Sequence, residues 1–367
     1  MKIGLITFHF VNNFGGALQT YSLQKYIKNN FNVDSVHVID YRNWFIRFTD
    51  TVRLFPITKN KKAFISGLKT MGQRLHRKKK FDSFLKENVL LSKKYRSSIG
   101  LKLCPPKYDG FVCGSDQIWN PIITGGVTPA YYLSFVKNRN RVCSYAPSFG
   151  TSKISPIFEK KMKKYISSIG KLSVREHQAA LTIDEWLDVC PTELIDPTFL
   201  IENETWDEIS HINVKLPEHY ILIYVMQSNY KIYDYAKQIM DIYNLPVVDI
   251  SRYGYNPGYI SQTLIDVGPS EFIYLFKNAD IVCTNSYHGL AYSLIFRKKL
   301  YLLPCKSFSA RIMNLLDLLQ IDKSSVCDED SVNELIYNPA YVEEVISKKK
   351  EEAYIYLNDF IKGLKEC

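Results

Sequence analysis

The sequence predicts an α/β protein built as two Rossmann-like domains facing a cleft. Three observations carry this. The chain opens as apolar strand, glycine turn, helix and second apolar strand, the order that makes a parallel sheet. A second alternation of short apolar runs with helical spacing begins near Tyr220. Residues 197–217 interrupt both patterns, and 367 residues is about two domains' length. The expected division is therefore 1–205 and 206–367. In open α/β sheets ligands collect at the carboxyl ends of the strands, so candidate chemistry is sought there.

Residues 3–8 form an apolar run with turn residues beside it, the first strand. Gly15-Gly16 then opens a helix over 17–29, with Leu18, Tyr21, Leu23, Tyr26 and Ile27 at helical spacing. Residues 36–40 are the next strand. Further strands follow at 108–116, ending in Gly114-Ser115-Asp116, at 141–146 and at 171–176, and a helix at 176–186 follows the last. The second series places strands at 220–225, 246–250, 280–284 and 300–304. Helices over 234–243, 271–278 and 290–296 lie between them. The chain has no internal repeat and no low-complexity tract.

Composition narrows the class. With 46% hydrophobic and 23% charged residues, the chain is neither a disordered nor a collagen-like protein. No apolar run approaches the roughly 18 residues of a membrane span. The apolar start at 2–10 is too short for the core of a secretion signal and reads as a strand of a cytoplasmic protein. None of the eight cysteines stands in a CxxC pair, and several lie in apolar runs, the pattern of buried thiols in a reducing compartment. No P-loop, HExxH, GxSxG or His/Cys cluster occurs, so no metal is expected. The net charge of +10 is concentrated at 59–96, which carry 13 Lys/Arg against two acids. Phe64, Leu68, Met71, Leu75, Phe81, Phe84 and Leu85 recur there at three- to four-residue steps, predicting one or two basic amphipathic helices. A solvated face is one reading. A surface for anionic lipid or an anionic acceptor is the other. No nucleic-acid motif accompanies the charge, so nucleic acid is not expected as a partner.

Five places carry residues suited to chemistry. His288 follows an apolar strand and precedes Gly289 at a helix start, where an imidazole serves as acid, base or anion ligand, or simply caps the helix. Arg175 ends the strand at 171–176. Its guanidinium suits a carboxylate or phosphate, or an interdomain ion pair with Glu176 or Asp196. Arg311 is a second anion ligand or a solvated helix arginine. The loop Asn12-Asn13-Phe14-Gly15-Gly16 offers backbone N–H groups to an anion or sugar, or is a plain strand-to-helix turn. In Gly114 to Pro121, Asp116, Gln117 and Asn120 suit sugar hydroxyls and Trp119 a stacked ring; the other reading is an Asx cap beside a core tryptophan.

Taken in this order, these segments resemble the polysaccharide pyruvyl transferase family. The resemblance rests on Asn13-Phe14-Gly15-Gly16-Ala17-Leu18-Gln19, Gly114-Ser115-Asp116-Gln117-Ile118-Trp119-Asn120, Ser173-Val174-Arg175-Glu176, Asp196-Pro197-Thr198, Asn285-Ser286-Tyr287-His288-Gly289 and Arg311. It implies a fold similar to GT-B glycosyltransferases. It also implies phosphoenolpyruvate as donor, a sugar with two suitably placed hydroxyls as acceptor, and a cyclic pyruvate ketal plus phosphate as products. The setting would be surface or capsular polysaccharide biosynthesis at the inner face of the cytoplasmic membrane, with the acceptor free or lipid-linked and no cofactor. By resemblance His288 is the catalytic histidine and Arg175 binds the donor. Arg311, Asn285, Ser286 and Gly289 join the donor side in the C-terminal domain. Asn13, Phe14, Gly15, Gly16, Asp116, Gln117, Trp119 and Asn120 form the acceptor side in the N-terminal domain. The sequence departs from many members in having Ser286 where they have arginine; Arg311, Arg252 or Lys306 would then face the donor phosphate. Two other readings stand beside this one. A GT-B nucleotide-sugar glycosyltransferase would need an acid for the ribose, for which Glu271 is available. A non-catalytic sugar-binding component of polysaccharide assembly would need neither.

Overall fold

The computed structural model describes residues 1–52, 61–151, 153–226, 230–251, 255, 257–304, 309–328 and 331–365, and of 61–67, 69 and 309 only the backbone. The chain divides into two compact units. Unit 1 comprises 1–59, 81–201 and 347–367; unit 2 comprises 60–80 and 202–346. Each is built on a parallel sheet, the expected α/β class.

In unit 1 the elements run β1 (Lys2–Ile6), α1 (Phe14–Asn30), β2 (Ser35–Val38) and α2 (Trp44–Val52), then the long helix α3 (Lys61–Asn88), which starts in unit 2. After it come α4 (Ser98–Leu103), β3 (Gly110–Asp116), α5 (Pro121–Thr124), β4 (Val142–Pro147) and α6 (Pro156–Ile166). The series ends with β5 (Ser173–Val174), α7 (His177–Leu187) and β6 (Thr192–Glu193). The sheet order is β2-β1-β3-β4, all parallel. β3 and β4 are buried at every residue, so apolar residues in them stand side by side, as in Phe111-Val112-Cys113, rather than alternating with polar ones.

Unit 2 contains α8 (Asn203–Asp207), β7 (Ile221–Tyr224), α9 (Lys231–Tyr243), β8 (Val247–Asp249), β9 (Gln262–Thr263) and α10 (Pro269–Asn278). It continues with β10 (Ile281–Thr284), α11 (Tyr287–Ile295), β11 (Lys299–Leu302), α12 (Ser309–Leu318) and the start of α13 (Pro339–Gly363). Its parallel order is β11-β10-β7-β8-β9, so β10, which carries the histidine turn, is an inner strand. Tyr224, Phe272, Phe276, Tyr292 and Trp206 pack edge to face and tilted beside it.

The units depart from the expected 1–205 and 206–367 in two places. Residues 347–367 return to unit 1. Tyr356 there donates its hydroxyl hydrogen to Ser144 O (2.9 Å), and Tyr354 stacks on Phe31 (5.2 Å). The basic stretch forms one continuous helix across 61–88, and its first part belongs to unit 2. Not all its charge faces solvent. Arg77 is buried and donates to Ile265 O (3.4 Å), His76 meets Asp266 (2.6 Å), and Lys80 meets Glu271 (2.7 Å). Leu68 and Leu75, expected on an apolar face, are exposed, whereas Phe81, Phe84 and Leu85 are buried in unit 1. Among the described residues no helix is long and apolar enough to cross a membrane.

Candidate active site

Five of the residues singled out in the sequence come together in unit 2. β10 ends at Thr284, whose hydroxyl donates to Tyr224 O (2.7 Å) and accepts from Ser286 N (3.1 Å). The Asn285 carboxamide oxygen accepts from Met226 N (2.9 Å), tying the turn to the end of the neighbouring strand β7. The turn is thereby fixed by Thr284 and Asn285. α11 starts at once, with Ser286 at its N-cap, but the Ser286 hydroxyl does not make the cap bond. His288 is therefore inside the first turn of the helix, three residues earlier than the sequence predicts a helix there. Gly289 permits this: a Cβ at that position would lie 2.2 Å from Thr284 Oγ1. The Tyr287 ring joins the rest. His288 packs edge to face against it (5.1 Å), and the Arg311 guanidinium, from the first turn of α12, lies over it at 5.5 Å. The cluster thus joins a hydroxyl, an imidazole, a guanidinium and the N-terminal N–H groups of α11. Helix N-termini and guanidinium groups both favour anions. Arg252 and Lys306 lie outside the described residues.

Arg175 belongs to unit 1. It is buried, its Nη1 lies 2.8 Å from Asp196 Oδ2, and its Nη2 donates to Ser115 Oγ (2.5 Å). The ion pair with Asp196 is thus within one unit. Asp196 is further fixed by Thr198, whose N and Oγ1 both donate to Oδ1 (3.0 and 2.9 Å).

The turn after β3 is built differently from the sequence expectation. Trp119 does not offer a face to a sugar: it is buried, its indole N–H donates to Tyr131 O (3.1 Å), and it stacks on Tyr132 (5.3 Å). Asn120 caps α5 by accepting from Ile122 N (3.0 Å) and donates to the Gln117 carboxamide oxygen (3.0 Å). These are the bonds of an Asx cap beside a core tryptophan. Asp116 and Ala146 both have positive φ, 64° and 45°, at the paired carboxyl ends of β3 and β4. Strained backbone of this kind costs on the order of 1–3 kcal/mol and gathers at working sites. The Asp116 carboxylate faces Gly16 in the first turn of α1, 3.7 Å from where a Cβ would be. A Cβ there would also lie 2.9 Å from Phe8 O, so α1 approaches β1 this closely only through glycine. Asn13 caps α1 by accepting from Gly16 N (3.4 Å), Gly15 is buried in its first turn, and Phe14 is buried against Phe81 (5.3 Å).

Two structural groups were given no role of their own from the sequence. Gln19 donates to Thr7 Oγ1 (2.8 Å) and Gly16 O (3.0 Å) and accepts from Ser115 N (3.2 Å), locking β1, α1 and the β3 turn together. A glutamine three residues into a glycine-led helix was the available signal. His9 is fully buried, with Nε2 3.0 Å from Asp40, and Arg42 binds the same carboxylate (2.7 Å). Burial raises the Asp40 pKa, but hydrogen bonds from His9 and Arg42 outweigh it and hold the carboxyl at about 2. In unit 2, Glu271 Oε2 accepts from Gly268 N (3.0 Å) and caps α10, so it is committed to the helix rather than to a ribose.

Fold and site together define an α/β protein built on parallel sheets, with an anion-suited cluster at the end of an inner strand. A family model described as polysaccharide pyruvyl transferase matches residues 13–307, and the chain belongs to that family. No curated protein matches it. Several solved structures are similar along nearly the whole chain. The S. aureus MnaA-UDP co-structure has 12% identity and TM-score 0.48, covering 95% of this chain and 90% of that one. UDP-GlcNAc 2-epimerase from Methanocaldococcus jannaschii has 13% identity and TM-score 0.43, covering 95% and 92%. E. coli ADP-heptose lps heptosyltransferase II has 12% identity and TM-score 0.38, covering 100% and 99%.

Proposed function

We propose that this transferase moves the pyruvyl group of phosphoenolpyruvate onto two hydroxyls of one sugar residue, in surface or capsular polysaccharide biosynthesis. The products are a cyclic ketal and phosphate. The observation that supports this best is the convergence of His288 and Arg311 on Tyr287 at the starts of α11 and α12. Phosphoenolpyruvate is a small dense anion with a carbon that must be protonated, and this cluster offers anion ligands beside a proton donor. Arg311, the Ser286 hydroxyl and the α11 N–H groups hold the donor's charged oxygens. His288 delivers a proton to the enol methylene as the first sugar hydroxyl attacks C2. That hydroxyl's proton restores the imidazolium. The second hydroxyl then attacks C2, its proton leaves with the departing phosphate, and the ring closes.

Arg175 has a narrower part. Asp196 already balances its charge, so any donor anion reaching it meets a neutralised pair. Its role is to hold Ser115, and with it the Asp116 turn, for the acceptor. Asp116 is the side chain there best placed to orient a sugar hydroxyl.

The test is a thermal-shift comparison of phosphoenolpyruvate with UDP-, GDP- and CMP-sugars. A ligand of the native state raises the melting temperature by mass action. Phosphoenolpyruvate is expected to raise it, and Arg311→Ala to lose that rise. A rise with a nucleotide sugar alone would move the assignment to glycosyl transfer.

A further inference from the structure

We propose that α2, α4 and α5 of unit 1 form a docking face for an anionic lipid bilayer. Three consecutive residues bring these helices together. The Tyr41 hydroxyl lies 3.1 Å from Ser98 Oγ at the start of α4, and Arg42 N donates to Tyr95 O (2.9 Å) just before it. Asn43 caps α2, accepting from Phe45 N (2.8 Å) and Ile46 N (3.2 Å), and donates to Thr124 O at the end of α5 (3.2 Å). Each helix turns one apolar side inward and leaves another out. Ile46 and Leu101 are buried. Trp44 and Phe48 on α2 are 68% and 60% exposed, Ile99 and Leu103 on α4 are 70% and 80% exposed, and Ile122 on α5 is 73% exposed. Trp44/Phe48 and Ile99/Leu103 are spaced four residues apart, so each pair shares one helix side.

Single exposed apolar residues are ordinary, but five on three helices held by one tripeptide are not. Charge selects the occupant. Residues 93–107, which contain α4, carry five Lys/Arg and no acid, and Arg47 stands exposed on α2 between Trp44 and Phe48. Large apolar side chains with cations on α2 and along the segment that holds α4 suit a bilayer interface, where the rings enter the headgroup boundary and the cations meet anionic lipid. The face differs from α3, part of whose charge is held by residues 265–271. The inference does not depend on which group the enzyme transfers.

The experiment is co-sedimentation of the whole chain with vesicles of phosphatidylcholine, with and without phosphatidylglycerol. Wild type is expected to sediment with the anionic vesicles, and less so as salt rises. Trp44→Ser with Phe48→Ser, and separately Ile99→Ser with Leu103→Ser, should each weaken partitioning by about tenfold. These side chains are exposed, so the melting temperature should hold. Brominated lipid should quench wild-type fluorescence more than that of Trp44→Phe. Failure of wild type to sediment overturns the proposal, as does wild-type binding by both double variants. So does a wild-type dimer that the variants turn into monomer, which would make the face a self-contact. None of these results bears on phosphoenolpyruvate binding.

Discussion

The turn after β3 and the turn after β10 contain the same kinds of residue at the same end of a parallel sheet, and they use them oppositely. After β3, Trp119, Asn120 and Gln117 bond to one another or to backbone, and Arg175 is neutralised by Asp196. After β10, the scaffold work falls to Thr284 and Asn285. The Ser286 hydroxyl makes no cap bond, and His288 and Arg311 are gathered on one ring. A crowd of polar side chains at a strand end is therefore a poor sign of a ligand site. What distinguishes the second turn is that short residues hold the backbone and the reactive types are placed by packing.

The contrast breaks first at His288. His288→Ala should lower phosphate release from phosphoenolpyruvate and acceptor by about a thousandfold, the scale of a lost general acid–base group, with the melting temperature little changed. Near wild-type turnover would remove His288 from the mechanism. Next in size, Arg175→Ala leaves Asp196 buried without its cation and should destabilise the fold by about 3–5 kcal/mol in denaturant titration. Arg311→Ala should change stability by less than about 1 kcal/mol and instead raise the KM for phosphoenolpyruvate at least about tenfold. Equal stability losses in the two arginine variants would erase the distinction between the turns.

Acid sharpens the comparison at the level of the units. The folded Asp40 carboxyl in unit 1, at about 2, is below its unfolded value, so its stabilisation of about 2 kcal/mol is present above about pH 4 and lost as pH falls towards 2. Asp249 in unit 2 is shifted the other way. Burial raises its pKa against hydrogen bonds from Ser251 and Tyr233, so its contribution is present in acid and lost as pH rises through the folded value. Melting scans between pH 2 and 6 should therefore show Asp40→Asn with a flatter acid loss than wild type, and Asp249→Asn with a steeper one. The smallest effect belongs to Trp119→Phe, which removes the indole bond to Tyr131 O. A loss of about 1–2 kcal/mol is expected, with acceptor KM unchanged. A raised KM at unchanged stability would return Trp119 to the sugar site.

Much of the fold was legible because both sheets are parallel and their inner strands read as short apolar runs between turns. Helix starts were less so. The glycines at 15–16 and 289 look like breakers, yet α1 and α11 begin before them, because at these places glycine lets the first turn press against Phe8 O and Thr284. The passage from an inner strand into a helix around His288 could be placed by residue type and position. The fate of Trp119 and Arg175 could not, since a sequence places a residue at a strand end without saying which way its side chain turns. The return of α13 to unit 1 was hidden for a related reason: Tyr354 and Tyr356 make contacts more than 200 residues away in the chain.

That return has a consequence for synthesis on the ribosome. Residues 1–59 and 81–201 of unit 1 are made before most of unit 2, yet residues 347–367 of the same unit are made after all of unit 2. Ser144 and Phe31 must wait for Tyr356 and Tyr354 while some 200 to 300 further residues are translated, on the order of ten seconds to a minute at common rates. The unit begun first is finished last. A nascent chain stalled before α13 would expose the seat of that helix to proteases and chaperones.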